Sequence, residues 1–269
     1  MHVQDLYIYP VKSLAGIRLA EGAQALQKGF EFDRRWMLVD EDGKFISQRT
    51  EHQLALLQTH ITKTGIVIRH KDHLSELTIP FNLPLTHTLE ASVWDDQVKA
   101  YHLNEDFDNW FSMQIRKTCR LVFMPEDTTR AVDTRYALNN ESVSFADAFP
   151  YLLISQASLN DLNSRLTDPV PMNRFRPNIV ISGTEPFEED TWNEIQIGDV
   201  RFKVAKPCAR CVLTTVDQET AIRNKEPLLT LSKYRSRDNK VLFGQNLLAL
   251  NEGYIRTGAP LRVLSFKSS

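Results

Sequence analysis

The first hundred residues alternate short apolar runs with turn-forming residues. Residues 3–9 form a β-rich run that stops at Pro10. Strands are predicted at 36–39, 45–47, 54–61, 65–68, 77–79, 89–94 and 98–101. The pair Asp42-Gly43 indicates a hairpin turn, and residues 95–97 indicate another. Short strands at close spacing with turns between them are typical of a barrel or a sandwich rather than of a βαβ sheet.

Two segments place their apolar residues on one helical face, each after a residue suited to N-capping. The first helix is predicted after Asn104, and its apolar face consists of Phe107, Trp110, Phe111 and Ile115. The second is predicted after Ser155, and its apolar face consists of Leu159, Leu162 and Leu166. Between the two helices, residues 128–142 are polar and charged, which predicts a long loop or a lid.

From residue 178 onward the strand pattern returns. Strands are predicted at 179–181, 194–197, 200–204, 212–216, 242–243, 247–250, 254–255 and 261–264. The pattern predicts an α+β protein that is mainly β, with a few peripheral helices. We place a domain boundary in the loop after Phe123, which divides the chain into residues 1–123 and 124–269.

Composition and charge exclude broad classes of partner. Of the 269 residues, 42% are hydrophobic and 25% are charged, as in an ordinary soluble globular protein. The net charge of -2 gives no general attraction to nucleic acid or to an anionic membrane, so neither is expected as a partner. No secretory signal and no apolar run of about 18 residues is present. Three cysteines are too few for a disulfide framework, so we expect a cytoplasmic protein.

Cys208 and Cys211 form a CxxC pair, a motif that occurs in several kinds of site. A structural zinc site would need four ligands, and no second cysteine pair exists. A thioredoxin-type pair would begin a helix, whereas strands are predicted on both sides here. A pair of buried, inert thiols also remains open. Lys206 and Arg210 flank the pair, and a cationic setting stabilises the thiolate, which is the metal-binding form.

Three basic clusters stand at the ends of predicted strands. They are Lys12 with Ser13, Arg34 with Arg35, and Arg174 with Arg176. Arginine recognises phosphate through two parallel hydrogen bonds, and lysine acts as a point charge. One such cluster alone is commonly a solvated surface, but three in a slightly acidic chain favour a shared anionic ligand. Because neither GxGxxG nor GxxxxGK[ST] is present, the ligand is not an ordinary nucleotide held by a helix N-terminus.

Five motifs follow one another along the chain. They are Tyr9-Pro10-Val11-Lys12-Ser13, Asp33-Arg34-Arg35-Trp36, Phe175-Arg176-Pro177-Asn178, Pro207-Cys208-Ala209-Arg210-Cys211 and Phe243-Gly244-Gln245-Asn246. Together they resemble the MOSC family, named for the C-terminal domain of molybdenum cofactor sulfurase. The resemblance is to the YcbX-like proteins and the mitochondrial amidoxime-reducing component in particular. It implies an N-terminal β-barrel-like domain, a MOSC β-barrel domain, and a molybdenum-molybdopterin cofactor between them.

The resemblance also implies roles for individual residues. Cys211 would be the protein ligand of molybdenum, and Cys208 would not bind the metal. The residues expected to contact the cofactor are Lys12, Ser13, Arg34, Asp147, Arg176, Asn178 and Arg210. Asp147 would anchor the cofactor or serve a proton path, although a capping or surface carboxylate is an equally good interpretation. Ala209 departs from many relatives, which have serine there, so one hydroxyl contact is expected to be missing.

The activity that the resemblance implies is reduction of small N-hydroxylated compounds: amidoximes, hydroxylamines and N-hydroxylated bases. YcbX-like relatives carry a C-terminal iron–sulfur domain, whereas this chain has no cysteine after Cys211. Electrons are therefore expected from a separate electron-transfer protein of the flavoprotein, ferredoxin or cytochrome type. The alternative is a carrier of the molybdenum cofactor, or of sulfur for it, without turnover of its own. A thiol redox or zinc protein is a third hypothesis.

Overall fold

The computed structural model describes residues 1–268, and β-strands dominate them. In the first half of the chain the strands are β1 (His2–Ile8), β2 (Ile17–Leu19), β3 (Gly22–Leu26), β4 (Gly29–Phe30), β5 (Trp36–Val39), β6 (Leu57–Ile61), β7 (Gly65–His70), β8 (Glu76–Pro80), β9 (His87–Val93), β10 (Asp96–His102) and β11 (Arg120–Phe123). In the second half they are β12 (Tyr151–Ser155), β13 (Ile179–Ser182), β14 (Trp192–Ile197), β15 (Val200–Arg210), β16 (Ser236–Arg237), β17 (Lys240–Ala249), β18 (Gly253–Arg256) and β19 (Leu261–Phe266). The α-helices are α1 (Glu105–Ile115), α2 (Gln156–Asn163) and α3 (Leu228–Tyr234). The predicted α+β class, mainly β, is confirmed.

The strands form four sheets. The largest has nine strands in the order β19-β14-β15-β17-β12-β13-β1-β2, with β16 beside β17. A four-stranded sheet has the order β5-β11-β10-β9, and two three-stranded sheets have the orders β18-β3-β4 and β6-β7-β8. Within residues 1–268 none of these strand orders closes on itself.

The first strand of the chain lies inside the large sheet. β1 runs antiparallel to β13, with Leu6 opposite Ile179, and β12 runs parallel to β13, with Leu153 opposite Ile179. The residues that follow β1 and the residues that precede β12 and β13 therefore lie together, at the same end of these three neighbouring strands.

Arg176 of the third cluster lies beside the segment that follows β1, and its Nη1 donates to the Leu14 carbonyl at 2.7 Å. Arg174 of the same cluster contacts the Thr214 carbonyl and Asp217 instead.

Both predicted helix N-caps are confirmed. The Asn104 side chain accepts a hydrogen bond from the Phe107 N–H at 2.9 Å, and Ser155 Oγ accepts one from the Ser158 N–H at 3.0 Å. α1 packs its predicted apolar face against the core, with Phe111 fully buried. The second helix is shorter than predicted, because α2 ends at Asn163. The prediction that Leu166 belongs to its apolar face is therefore wrong.

Residues 212–216, predicted as a strand, begin with a 3₁₀ helix over Val212–Thr215. Thr214 Oγ1 donates to the Cys211 carbonyl at 3.0 Å, and Thr215 Oγ1 donates to the Val212 carbonyl at 2.7 Å. These local side-chain bonds favour the tight turn over the extended chain that β-branched residues otherwise prefer. Since β15 continues to Arg210, the cysteine pair lies at the end of a long strand rather than between two strands.

Other boundaries also differ from the sequence prediction. Residues 54–56 belong to a 3₁₀ helix, so the predicted strand 54–61 begins only at Leu57. Residues 45–47 form an isolated bridge at Phe45 instead of a strand, and the strands predicted at 242–243 and 247–250 are one continuous strand, β17. The loop predicted at 128–142 contains no helix or strand beyond an isolated bridge.

Candidate functional site

A cavity of about 410 Å³ lies at the end of the large sheet where β1 finishes and β13 starts. Its volume falls in the range of small-molecule sites. Its lining includes every residue predicted for the site: Lys12, Ser13, Arg34, Asp147, Arg176, Asn178, Arg210 and Cys211. Residues far apart in the chain thus contribute to one concave surface.

Three of these residues adopt the left-handed backbone conformation. The φ angles are 71° at Ser13, 51° at Arg34 and 53° at Arg176. This conformation costs a non-glycine residue roughly 1–2 kcal/mol. Such strain persists only where surrounding contacts impose it, and it concentrates at binding and catalytic sites. The unusual backbone conformation of these three residues therefore accompanies their position in the cavity wall.

Tyr9 organises the two arginines that come from separate clusters. The guanidinium carbons of Arg34 and Arg176 lie 4.3 and 4.2 Å from the centre of the Tyr9 ring. Arg34 Nη1 also contacts Asp33 Oδ2 at 2.5 Å and donates to Asn178 Oδ1 at 3.1 Å. Burial lowers the pKa of Arg176 to about 10, which still leaves it protonated at neutral pH. The site thus holds two fixed cations side by side.

The Asp147 carboxylate binds two cations, the buried Lys12 and the partly buried Arg49. Lys12 Nζ donates to Asp147 Oδ1 at 2.6 Å and to the Phe145 carbonyl at 2.7 Å, and Arg49 Nη2 donates to Asp147 Oδ2 at 3.0 Å. Burial lowers the pKa of Lys12 to about 8, although Asp147 opposes the shift. Burial alone would raise the pKa of Asp147, but Lys12 and Arg49 hold it well below its usual range. The carboxylate therefore stays anionic, with 55% of its side chain exposed.

Each cysteine of the pair contacts a different arginine. Arg49 Nε donates to Cys211 Sγ at 3.2 Å, whereas Arg210 Nη1 donates to Cys208 Sγ at 3.0 Å. Arg210 Nη2 also donates to the Phe175 carbonyl at 2.7 Å. Both thiols are free and partly buried. The two sulfur atoms, equivalent by spacing, are therefore distinguished by their surroundings.

Among the lining residues that were not predicted for the site, two are cations, Arg49 and Lys206, and one is the aromatic residue Trp94. Arg49 and Trp94 come from the N-terminal half, and Lys206 lies 4.6 Å from the ring centre of Tyr136. Lys206 is visible in the sequence only as a flanking cation. Arg49 follows a short apolar run as a single basic residue, which is too common a pattern to single out.

The charge of the cavity suits an anionic ligand. Among the described residues that line it, Asp147 is the single carboxylate, and the cations are Lys12, Arg34, Arg49, Arg176, Lys206 and Arg210. The Nε atom of Arg210 is buried without a hydrogen-bond partner in the described residues. A buried donor left without a partner is costly, so this atom favours a bound acceptor such as a phosphate oxygen.

A metal at this site would need ligands from outside the protein. No group of three or more His, Cys, Asp or Glu side chains positioned to hold a metal ion occurs within residues 1–268. A structural zinc ion requires four protein ligands, so the residues present do not fit one. They do fit a metal that arrives with its own organic ligand and takes one thiolate from the protein, as a pterin-bound molybdenum would.

The fold and the site define a β-rich protein with a cationic, thiol-bearing cavity shared by its two halves. Two family models match the chain: the MOSC N-terminal beta barrel domain over residues 1–118 and the MOSC domain over residues 140–262. The chain is 38% identical to mitochondrial amidoxime-reducing component 1 of Mus musculus, covering 97% of this chain and 82% of that protein. It is 36% identical to mitochondrial amidoxime reducing component 2 of Rattus norvegicus, covering 96% and 82%. The protein therefore belongs to the MOSC-domain family of amidoxime-reducing components.

Among solved structures, the chain resembles the YuaD protein from Bacillus subtilis. The TM-score is 0.42 at 9% sequence identity, covering 96% of this chain and 92% of that one. In the described part of the chain, no helix has the length and apolar character needed to cross a membrane.

Proposed function

We propose that the protein is a molybdenum-cofactor-dependent reductase of N-hydroxylated compounds: amidoximes, hydroxylamines and N-hydroxylated bases. The observation that carries the proposal is the position of Cys211, which lines a cavity dominated by cations. The relatives named as amidoxime-reducing components support the substrate class.

The cavity residues divide into an anion-binding group and a metal ligand. Cys211 is the proposed molybdenum ligand. The proposed contacts to the pterin and its phosphate are Lys12, Ser13, Arg34, Arg176, Asn178 and Arg210. When bound, the cofactor supplies the two-electron chemistry, and the protein supplies binding, orientation and charge.

Reduction of an N–OH group to N–H consumes two electrons and two protons and releases water. Lys12 is the proposed group that holds a proton at the cavity wall, and Asp147 is its hydrogen-bond acceptor. The Lys12 ammonium lies 2.6 Å from Asp147 Oδ1, and a pKa of about 8 lets it release a proton near neutral pH. Asp147 stays anionic and reaches the cavity, so it can orient a proton donor toward the substrate.

The electrons are proposed to come from a separate electron-transfer protein of the flavoprotein, ferredoxin or cytochrome type. An iron–sulfur cluster commonly needs four cysteine thiolates, and this chain has three cysteines. Cys119 is buried and does not line the cavity, so it cannot join Cys208 and Cys211 in binding a cluster there. The cytoplasmic location remains a prediction, which cell fractionation tests.

The experiment compares wild type with Cys211→Ala and Cys208→Ala. Molybdenum content is measured by elemental analysis, and benzamidoxime reduction is measured with a chemical reductant that replaces the partner protein. We expect wild type and Cys208→Ala to carry molybdenum and to reduce benzamidoxime. Cys211→Ala should lose more activity than the roughly 10–100-fold that loss of an outer-shell partner costs.

The same measurements separate the alternatives. If Cys211→Ala reduces benzamidoxime as well as wild type does, the ligand assignment is wrong. If wild type carries molybdenum but turns over no N-hydroxylated substrate, while transferring cofactor to an apo-enzyme, the protein is a carrier.

A further inference from the structure

Trp94 is an exposed aromatic residue in a strained backbone conformation. It lies in the turn between β9 and β10, with a φ angle of 58° and 46% of its surface exposed. A positive φ is unusual for a bulky side chain, and large aromatic residues are normally well buried. The positive φ suits the two-residue hairpin turn between the paired residues Val93 and Asp96, whereas the half-exposed indole leaves apolar surface open to a ligand.

The indole is fixed by contacts on two sides. The guanidinium carbon of Arg49 lies 4.1 Å from the centre of the Trp94 ring, and the Phe45 ring lies 4.9 Å away at an angle of 62°. Arg49 is the same residue that donates to Cys211 Sγ and to Asp147. Arg49 therefore contacts both the indole and the thiol that is the proposed metal ligand.

Trp94 also stands between two cavities. It lines the cavity that contains Cys211, and it lines a second cavity together with Phe45, Asp95 and Gln97. Its indole is therefore within reach of a molecule bound in either cavity.

We propose that Trp94, held in place by its contact with Arg49, is a stacking platform that selects planar, conjugated N-hydroxylated substrates. The inference rests on the proposed function and adds a preference among its substrates. Aryl amidoximes and N-hydroxylated bases present a delocalised face to the indole, and offset stacking of aromatic rings favours such a contact. Saturated hydroxylamines of similar size have no such face.

The kinetic test compares benzamidoxime with N-cyclohexylhydroxylamine in the loaded enzyme. The variants are Trp94→Leu, which removes the ring, and Trp94→Phe, which keeps a smaller one. Trp110→Leu is the matched control, because Trp110 lies on α1 outside both cavities. Molybdenum content is measured in every variant, so that a lost cofactor is not mistaken for lost substrate binding.

We expect Trp94→Leu to lower kcat/KM for benzamidoxime by about tenfold, mainly through KM, and to change the aliphatic substrate by less than about twofold. Trp94→Phe should retain most of the preference, and Trp110→Leu should behave as wild type. Equal losses for both substrates in Trp94→Leu would overturn the platform while leaving the proposed function intact. Failure of wild type to reduce either substrate would overturn the proposed function.

A binding measurement tests the stacking role of Trp94 without catalysis. Isothermal titration calorimetry of benzamidoxime against the cofactor-free protein should give the same Kd for wild type and for Trp110→Leu. Because Trp94→Leu removes the stacking surface, its Kd should rise by about tenfold. A Kd for Trp94→Leu equal to that of wild type would show that the platform assignment is wrong.

Discussion

The pairing of Lys12 with Asp147 shows how burial and charge set the chemistry of one residue. Lys12 is 5% exposed, and burial disfavours its charged form because the ammonium loses its water. Asp147 offsets part of this desolvation cost, because it accepts a hydrogen bond of 2.6 Å from the Lys12 ammonium. The result is a lysine whose pKa of about 8 lies close to physiological pH. Its protonation therefore couples stability to pH.

The sign of that coupling follows from the two pKa values. In the unfolded chain Lys12 titrates near 10.5, and in the folded protein it titrates at about 8. Between these values the unfolded chain binds more protons, so the contribution of Lys12 to the free energy of unfolding rises with pH. Below pH 8 its burial penalty is present in full, and by pH 10.5 it has gone.

We predict that the difference in unfolding free energy between wild type and Lys12→Met rises from pH 8 to pH 10.5 by up to about 3 kcal/mol. Urea unfolding of both cofactor-free proteins across this range measures it. Taking the difference cancels the titration of tyrosines and cysteines that both proteins share. A difference that stays flat with pH would contradict the assigned pKa of Lys12.

At the scale of elements, short local signals set where helices begin. α1 begins after Asn104, whose side chain satisfies the Phe107 N–H that no helical carbonyl can reach. It ends at Ile115, and the capping residue Arg116 has a φ of 54°, which turns the chain toward β11. The helix then buries Phe111 and Ile115 against the core of the N-terminal half. Capping and packing together define this element.

We predict that Asn104→Ala lowers the free energy of unfolding by about 1 kcal/mol, because one N–H at the helix start loses its acceptor. Asn109→Ala is the matched control, since Asn109 is an exposed residue of the same helix. Alanine there should leave stability unchanged or slightly higher. Denaturant unfolding measures both variants, and equal losses in the two would argue against the capping role.

At the scale of the whole molecule, the chain interleaves its two halves. β1 occupies a place in the large sheet between β13 and β2, and β3 pairs with β18 near the end of the chain. The cavity depends on this arrangement, because its wall combines residues that follow β1 with residues that precede β12 and β13. A boundary after Phe123 remains our proposal for the family domains, and the sheets cross it.

We predict that residues 124–269 expressed alone do not fold to a soluble monomer. Without β1, the fragment exposes the pairing edge of β13 and leaves its apolar neighbours open to water. Co-expression with residues 1–123 should restore a soluble complex of the two pieces. Size-exclusion chromatography and proton NMR test both statements; a well-dispersed spectrum from the isolated fragment would show that the halves fold independently.

Local patterns were sufficient for much of this protein. Alternation of apolar and polar residues located most strands, and the two N-caps located α1 and α2. The strand prediction failed at residues 212–216, because the threonine hydroxyls bond to nearby carbonyls and favour a 3₁₀ helix over residues 212–215. The sequence patterns also did not predict β2 to β4, β12 and α3.

The sequence by itself determined the mainly β class and the cysteine pair, and it predicted Lys12, Arg34 and Arg176 for one shared site, since these depend on residue type and short-range spacing. Only the tertiary structure decided which arginine contacts which thiol. Arg49 and Cys211 are separated by 162 positions, and no local pattern relates them. Sheet pairing brings them together at the cost of ordering a long intervening chain, so the contact is a property of the completed fold. The same holds for Trp94, whose exposure has meaning only beside that cavity.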